Sequence, residues 1–216
     1  TMNYLKQRFI ILCIVILGFV LRIINIEHVP AGLFVDEASI GYNAFTILKF
    51  GTDENGNIFP LLFQNFGDFY RPGVSVYLTV IPVFLLGLSE FSVRLTAILV
   101  GSATVYVTYV VGKLLFNKNV GLVSAFFLAI APWHIHFSRI NQEFVYLAFF
   151  LSISLWVFLE AIKKHNRIFL LTSGAMFGLS IYTYVTAYVL IPLFVVLLSL
   201  VYFKEIKKIK YGLILF

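Results

Sequence analysis

The sequence predicts an all-α fold, a bundle of transmembrane helices, on three observations. Of the 216 residues, 61% are hydrophobic and only 12% are charged, whereas a soluble domain carries about 25% charged residues. The mean hydropathy is +0.96. Apolar stretches recur at close to the roughly 20 residues that cross a bilayer as a helix. These observations exclude a water-soluble globule and predict a polytopic membrane protein whose solvent is the bilayer.

Seven apolar runs are bounded by charges, prolines or glycines. They lie at 9–26, 74–88, 92–116, 120–137, 144–161, 168–184 and 187–203. The second run has only 15 residues and contains Pro82 and Gly87, which is too short to cross the hydrocarbon core at about 1.5 Å per residue. It is predicted to lie along the membrane surface or to enter and leave on one side.

The distribution of lysine and arginine predicts the orientation, because positive residues favour the cytoplasmic side of short loops. If the run at 74–88 does not cross, 11 of the 16 positive residues are cytoplasmic, and if it crosses only 4 of 16 are. The first arrangement is therefore predicted. It gives six full spans, the start of a seventh at 211–216, a cytoplasmic N-terminus and a long extracytoplasmic first loop at about 27–91. We expect residues 1–216 to be the N-terminal part of a cell-membrane protein that continues beyond 216.

Most of the unusual polar residues fall in this first loop. A helical pattern begins at Asp36 and ends at Phe50, where Gly51 is a typical C-terminal cap. One face of this helix is apolar and another is polar, as in a helix at an interface. A turn follows at 52–57, and the segment 68–73, which begins with Asp68, leads into the short apolar helix.

Asp36 and Glu37 form the first candidate site, two carboxylates at a helix N-terminus near the bilayer. They have two interpretations. In one, Asp36 caps the helix and Glu37 complements the helix dipole, an effect of about 1 kcal/mol. In the other, they take part in acid–base chemistry.

Three arginines form the second candidate site, since the predicted topology places Arg71, Arg94 and Arg139 on the outer side near helix ends. Cations at that depth are costly unless they reach water or a partner. They could snorkel or form one-turn pairs, Arg94 with Glu90 and Arg139 with Glu143. Alternatively, they hold a lipid phosphate.

Metal, disulfide and nucleic-acid sites receive little support from the sequence. His134 and His136 are two residues apart, which is a poor metal pair on a helix, so an interfacial aromatic belt is the simpler interpretation. The sequence has one cysteine, Cys13, and therefore no disulfide framework. The lysines at 204–210 are typical of a contact with anionic lipids rather than with nucleic acid.

An ordered series of short motifs resembles the N-terminal half of the C-type glycosyltransferases related to protein O-mannosyltransferases, aminoarabinose transferase and the RgtA/B/C/D-like group. The motifs are PAGLFVDEA at 30–38, GTD at 51–53, PL at 60–61, RP at 71–72, GLSEFSVRL at 87–95, GKLLF at 112–116, AP at 131–132 and SR at 138–139. The resemblance extends from about residue 22 to residue 139.

This resemblance implies transfer of a sugar from a polyprenyl-phosphate donor to an acceptor hydroxyl on the extracytoplasmic face, with inversion. It assigns the general base to Asp36, with Glu37 as the adjacent acid, and the carrier phosphate to Arg71. Arg94 matches the family arginine that opens the next span. Glu143 is the candidate for a further acid in the next outer loop, and Arg139 lies one turn before it.

The residue types agree with that chemistry, because the reaction needs a cation for the developing phosphate charge and a carboxylate for the acceptor proton. We therefore predict that Arg71, Arg94 and Arg139 contact the donor phosphate. The acceptor is a protein, lipid or glycan, and membrane lipids are the remaining partners. The sequence allows a divalent metal on Asp36, Glu37, Glu143 and His136 but does not require one.

Two other function classes remain open at this point. A transporter or flippase of lipid-linked saccharides predicts ionisable residues or broken helices near the bilayer midplane. In this sequence the ionisable residues lie at the ends of the runs and in one loop, with Pro192 as the comparable interruption. A bare anchor for a soluble domain would leave the paired acids and the outer arginines without a purpose.

Overall fold

A computed structural model describes residues 2–64 and 69–211 of the chain. Asp68 and residues 212–216, nearly all of the predicted start of a seventh span, lie outside the described residues. The described part contains ten helices and one two-stranded sheet. In chain order these are α1 Met2–Ile23, α2 Val35–Phe50, β1 Leu62–Gln64, β2 Tyr70–Pro72, α3 Val74–Leu86, α4 Glu90–Leu115, α5 Lys118–Ile130, α6 Pro132–Arg139, α7 Glu143–Lys164, α8 Arg167–Ile181, α9 Ala187–Val201 and α10 Phe203–Tyr211.

The predicted helical architecture is confirmed, whereas the six full spans remain a prediction. Among the described residues, α4 and α7 are each long and apolar enough to cross a membrane. The bent pairs α5–α6 and α9–α10 raise that number to four if each pair is one span. Helix α3 has 13 residues, so the second apolar run is as short as the sequence indicates.

One apolar run that the sequence treats as a single helix is broken. The run at 120–137 bends by 56° between α5 and α6, and an 81° bend between α9 and α10 falls at the end of the last run, 187–203. Pro132 is the first residue of α6. Proline has no N–H group and cannot continue the hydrogen-bond ladder of the preceding turn, which explains the first break.

Helix α4 is at the centre of the structure and packs against α1, α3, α5, α6 and α7. The approach to α5 is close, because a Cβ atom on Gly112 would lie 3.0 Å from the Cα atom of Gly121. A second apolar cluster joins α7, α8 and α9 through buried side chains such as Leu159, Phe177 and Ile191. The bundle holds the C-terminal end of α1 and the N-terminal ends of α4 and α7 beside one another.

The first loop forms a small subdomain on α3. Buried apolar side chains of α2 pack on Phe63 and on α3, and β1 pairs antiparallel with β2, with Phe63 opposite Arg71. The Tyr77 hydroxyl donates to the carbonyl of Pro60 at 2.8 Å. Burial, with a smaller effect of Asp53, raises the pKa of Tyr77, so the phenol stays protonated and holds the loop to α3.

Helix α2 has the boundaries that the sequence predicts to within one residue, and Gly51 ends it in the left-handed conformation with a φ of 70°. Its polar face differs from the interfacial pattern, because Ser39 and Asn43 are as buried as the apolar side. The Asn43 side-chain carbonyl accepts the N–H of Glu54 at 3.0 Å. The predicted turn at 52–57 is thus folded back on the helix.

Candidate active site

Asp36, Arg71 and Glu143 come together although they are far apart in the sequence. The Nη2 atom of Arg71 lies 2.7 Å from Oδ1 of Asp36, and the Nε atom lies 3.3 Å from Oε1 of Glu143. Nη1 also donates to the backbone carbonyl of Asp36 at 3.1 Å. With two carboxylates around one guanidinium, the cluster carries one excess negative charge when both acids are ionised.

Exposure distinguishes the members of this cluster. The side chain of Asp36 is 34% exposed, whereas those of Glu143 and Arg71 are 12% and 4% exposed. Asp36 is thus the most open of the three. A group that exchanges a proton with a substrate must be within hydrogen-bond reach of it, and Asp36 satisfies this condition best.

Three different elements supply the cluster. Asp36 is the second residue of α2, Arg71 is the middle residue of β2, and Glu143 is the first residue of α7. Gly73, after β2, donates its N–H to the carbonyl of Leu61, and a Cβ atom there would lie 2.8 Å from the Phe63 ring. This close turn fixes the end of β2 and thereby directs the Arg71 side chain toward α2.

Glu37 has a different environment from its neighbour Asp36. Its side chain and that of Arg94 are both 0% exposed, and Oε1 of Glu37 lies 3.0 Å from Nε of Arg94. The Oε2 atom accepts the N–H of Phe34 at 2.9 Å. Glu37 therefore caps the start of α2 and neutralises a buried arginine.

Arg94 also binds the segment that leads from α1 to α2. Its Nη1 atom donates to the carbonyls of Ile26 and Pro30, each at 2.9 Å, and Nη2 donates to the carbonyl of Gly32. The one-turn pair with Glu90 is present at 3.8 Å. The contacts observed for Arg94 are those of a residue that holds the loop in place.

Arg139 contacts backbone carbonyls rather than an acid. Its Nη1 atom donates to the carbonyls of Leu21, Arg22 and Ile24 at 3.2, 3.2 and 2.8 Å, and Nη2 donates to Val29 at 2.6 Å. The one-turn pair of Arg139 with Glu143 does not form, because Glu143 turns toward Arg71 instead.

Asn141 is a residue of this region that the sequence analysis missed. Its N–H donates to Oε1 of Glu37 at 3.0 Å, and its side-chain amide donates to Thr79 and to the carbonyl of Val93. The hydroxyl of Tyr146 donates to its side-chain carbonyl. The sequence signal was an asparagine three residues before the apolar run at 144–161, a residue type that is common near helix starts.

His136 is not one of the ion-pair partners of Arg71. It is exposed and lines a recess of about 550 Å³ between the segment 30–34 and the α6–α7 connection. Glu37, Phe137, Gln142 and Phe144 also line this recess. In the part of the chain that the structure describes, no group of three or more His, Cys, Asp or Glu side chains is placed to hold a metal ion.

This helical fold is shared with a solved oligosaccharyltransferase. The chain superimposes on the archaeal oligosaccharyltransferase AglB from Archaeoglobus fulgidus, solved in complex with an inhibitory peptide and a dolichol-phosphate. The TM-score is 0.67 at 18% identity, over 84% of this chain and 24% of that chain.

Residues 71–216 match the model of the dolichyl-phosphate-mannose-protein mannosyltransferase family. Because the match spans more than half of the chain, the chain belongs to this family, which confirms the resemblance found in the sequence.

Two curated relatives come from Bacillus subtilis (strain 168). The chain is 28% identical to "Putative mannosyltransferase YkcB" over 64% of its length and 27% identical to "Putative mannosyltransferase YycA" over 58%. It spans 19% and 18% of the length of these two relatives.

Proposed function

We propose that this chain is part of a glycosyltransferase that takes a sugar from a polyprenyl-phosphate donor. The sugar passes, with inversion, to the hydroxyl of a protein, lipid or glycan acceptor. Membership of the mannosyltransferase family supports sugar transfer, and AglB was solved with a dolichol-phosphate and a peptide. The observation that carries the proposal is the partly exposed Asp36 carboxylate held 2.7 Å from Arg71.

In this proposal Asp36 is the general base. It accepts the proton of the acceptor hydroxyl as the hydroxyl oxygen attacks the anomeric carbon on the face opposite the phosphate. The bond between the anomeric carbon and the phosphate oxygen breaks, and the polyprenyl phosphate leaves with the bonding electrons. Glu143 lies on the other side of Arg71 and fixes the orientation of the guanidinium.

Arg71 links the proton transfer to the departure of the phosphate. Before the reaction its charge is balanced by Asp36 at 2.7 Å and by Glu143 at 3.3 Å. When Asp36 takes up the proton it becomes neutral, and the positive charge of Arg71 is then available to the new phosphate charge. An interaction that strengthens only as the charge develops lowers the barrier rather than merely binding the donor.

The other predicted site residues fit supporting roles better. Glu37 and Arg94 are fully buried and bind each other, so we propose that they shape the loop that carries Asp36. The phosphate contact predicted for Arg94 and Arg139 remains a prediction, and their bonds to backbone carbonyls favour a role in positioning. A metal on Asp36, Glu143 or His136 likewise remains open.

We further propose the membrane arrangement that the charge distribution predicts. The protein is a multi-pass protein of the cell membrane with six full spans, a cytoplasmic N-terminus and an extracytoplasmic active site. The short α3 supports the arrangement in which the second apolar run does not cross. The cluster of Asp36, Arg71 and Glu143 then faces the extracytoplasmic side.

Transfer of a radiolabelled sugar from a polyprenyl phosphate by the full-length protein in proteoliposomes tests the role of Asp36. We expect Asp36→Asn to lower kcat by about 1000-fold, because the amide cannot accept the proton. Glu27→Gln is the matched control, since it removes an exposed acid of the same loop, and it should transfer at the wild-type rate. Unchanged transfer by Asp36→Asn would exclude Asp36 as the base. Movement of the donor across the bilayer without sugar transfer would favour the transporter class instead.

Arg71 is tested in the same assay by Arg71→Ala and Arg71→Lys. The alanine variant should lose about 100-fold in kcat, the effect of removing one group that stabilises developing charge. The lysine variant should recover part of this loss, since it keeps the charge but not the fork that holds Asp36 and Glu143. A rise in the KM of the acceptor alone, with kcat unchanged, would argue against a role at the phosphate.

A further inference from the structure

Arg22 is a fully buried cation at the end of α1, among apolar helices, and none of its observed partners is an acid. It is 0% exposed. Its Nη1 atom donates to the carbonyls of Gly18 at 2.6 Å and Ala129 at 3.2 Å, and Nη2 donates to Leu128 at 3.4 Å. Nη2 also lies 2.7 Å from Nδ1 of His134. Since a guanidinium has donors only, Nδ1 of His134 is the acceptor.

Two of these partners, the carbonyls of Leu128 and Ala129, are groups that the break between α5 and α6 leaves poorly satisfied within the helix. Pro132 has no N–H for the carbonyl of Leu128, four residues earlier, which receives only a long bond of 3.4 Å from the backbone N–H of Ala131. Helix α5 ends at Ile130, so the carbonyl of Ala129 lies in its last turn. A charged donor that satisfies these carbonyls stabilises a bend inside an apolar bundle, where an unsatisfied carbonyl is costly.

Arg139 binds the carbonyls at the end of α1 in a similar way. It lies at the end of α6 and donates to Leu21, Arg22 and Ile24, whose carbonyls belong to the last turn of α1 or directly follow it. Helix α1 thus supplies Arg22, which binds carbonyls at the end of α5, and helix α6 supplies Arg139, which binds carbonyls at the end of α1. We call Arg22 and Arg139 the arginine clamp.

Helix α4 packs closely against both α6 and the Arg22 side chain. A Cβ atom on Gly101 would lie 2.7 Å from Cβ of Ser138 and 3.3 Å from Nε of Arg22. Ser138, on α6, is 0% exposed. The glycine therefore lets α6 and the Arg22 side chain sit directly on α4, and movement of α6 toward α4 is blocked.

The segment that follows α6 carries two contacts to the candidate active site. Two residues after Arg139, the N–H of Asn141 donates to Glu37, and four residues after it, Glu143 pairs with Arg71. We propose that the arginine clamp sets the position of α6 and thereby places Asn141 and Glu143 against the start of α2. Arg22 and Arg139 are then positioning residues, which act on the reaction through this connection and do not touch the substrate.

The positioning role rests on the proposed function, but the clamp itself can be tested without it. Ser138→Cys is introduced into the full-length protein with Cys13 and any other native cysteine replaced by serine. The rate at which maleimide labels this introduced thiol then reports how tightly α6 sits on α4. Sugar transfer, with kcat and the KM of the donor measured separately, reports the consequence for the active site.

In the Ser138→Cys protein we expect Arg22→Met to raise the labelling rate at least about tenfold and to lower kcat about 100-fold, with the donor KM nearly unchanged, because misplacement by about 1 Å can cost a factor of that size. Arg22→Lys, which keeps a charged donor, should restore part of both. Arg139→Gln removes the other arginine of the clamp, near the outer surface, and should change the labelling rate and kcat in the same way. It replaces Arg22→Met as the test if the Arg22→Met protein does not insert into the membrane. Arg167→Met, at an exposed arginine on α8, should change neither quantity.

The outcomes separate the clamp from the proposed function. An unchanged labelling rate in both Arg22→Met and Arg139→Gln would overturn the clamp, whatever the transfer rate. Faster labelling with unchanged kcat would overturn the positioning role. A raised donor KM with unchanged kcat in Arg139→Gln would indicate instead that Arg139 contacts the donor phosphate. Transfer at the wild-type rate by Asp36→Asn would contradict the proposed function but leave the labelling result valid.

Discussion

Individual arginines in this chain differ in their partners, although the sequence presents them alike. Arg94 and Arg139 bind mainly backbone carbonyls of the last turn of α1 and of the segment after it, whereas Arg71 binds the side chains of two acids. The sequence could predict that cations near the membrane surface need partners, and it named the pair of Arg94 with Glu90 correctly. It could not predict that Glu143 would pair with Arg71 and not with Arg139, because that pairing depends on where β2 lies.

Glu37 and Glu90 provide a test of burial at the residue scale, since both are paired with Arg94. Glu37→Gln should destabilise the protein by about 3–5 kcal/mol, because it leaves a fully buried guanidinium with less counter-charge. Glu90 is 42% exposed and lies 3.8 Å from Arg94, so Glu90→Gln should cost less than about 1 kcal/mol. The two losses are compared by thermal unfolding in detergent. Equal losses for the two variants would mean that burial does not determine the strength of these pairs.

Helices and turns are the scale at which the sequence was most informative. The boundaries of α2 and its glycine cap were predicted because a single residue, Gly51, adopts the conformation that ends a helix. The hairpin of β1 and β2 was missed, since three-residue strands carry too little alternation to be recognised. The break at Pro132 was missed as well, because an apolar run looks continuous whether or not its axis bends.

Two glycines inside helices test the close packing of α6 on α4. Gly101→Ala should destabilise the protein by about 1–3 kcal/mol, because its Cβ would fall 2.7 Å from Cβ of Ser138. Gly174→Ala, in α8, meets nothing within 4 Å and should stabilise the protein by up to about 1 kcal/mol through the better helix propensity of alanine. Thermal unfolding of both variants measures the difference. A stabilising Gly101→Ala would show that α6 can move away from α4 at little cost.

At the scale of the whole molecule, the fold depends on contacts between distant parts of the chain. Arg22 bonds to the α5–α6 break more than 100 residues later, at a sequence separation of 107 for Ala129. Hydropathy predicted the helices and the charge count predicted an orientation, but neither contains information about such pairs. The candidate active site was therefore predictable as a set of residue types on the first loop and at nearby helix ends, while the cluster of Asp36, Arg71 and Glu143 emerged only from the assembled fold.

The orientation of the whole molecule depends on whether α3 crosses the membrane, and two cysteine variants distinguish the possibilities. In the proposed arrangement, Asn55→Cys in the first loop reacts with an impermeant maleimide from outside intact cells, whereas Asn119→Cys, after α4, reacts only after permeabilisation. If α3 crossed, α4 would run in the opposite direction and the Asn119→Cys variant would also react from outside. Both positions are exposed, so access to the reagent and not burial determines the result. The Cys13→Ser protein without an added cysteine is the blank, and labelling of the Asn119→Cys variant in intact cells would reverse the predicted side of every later connection.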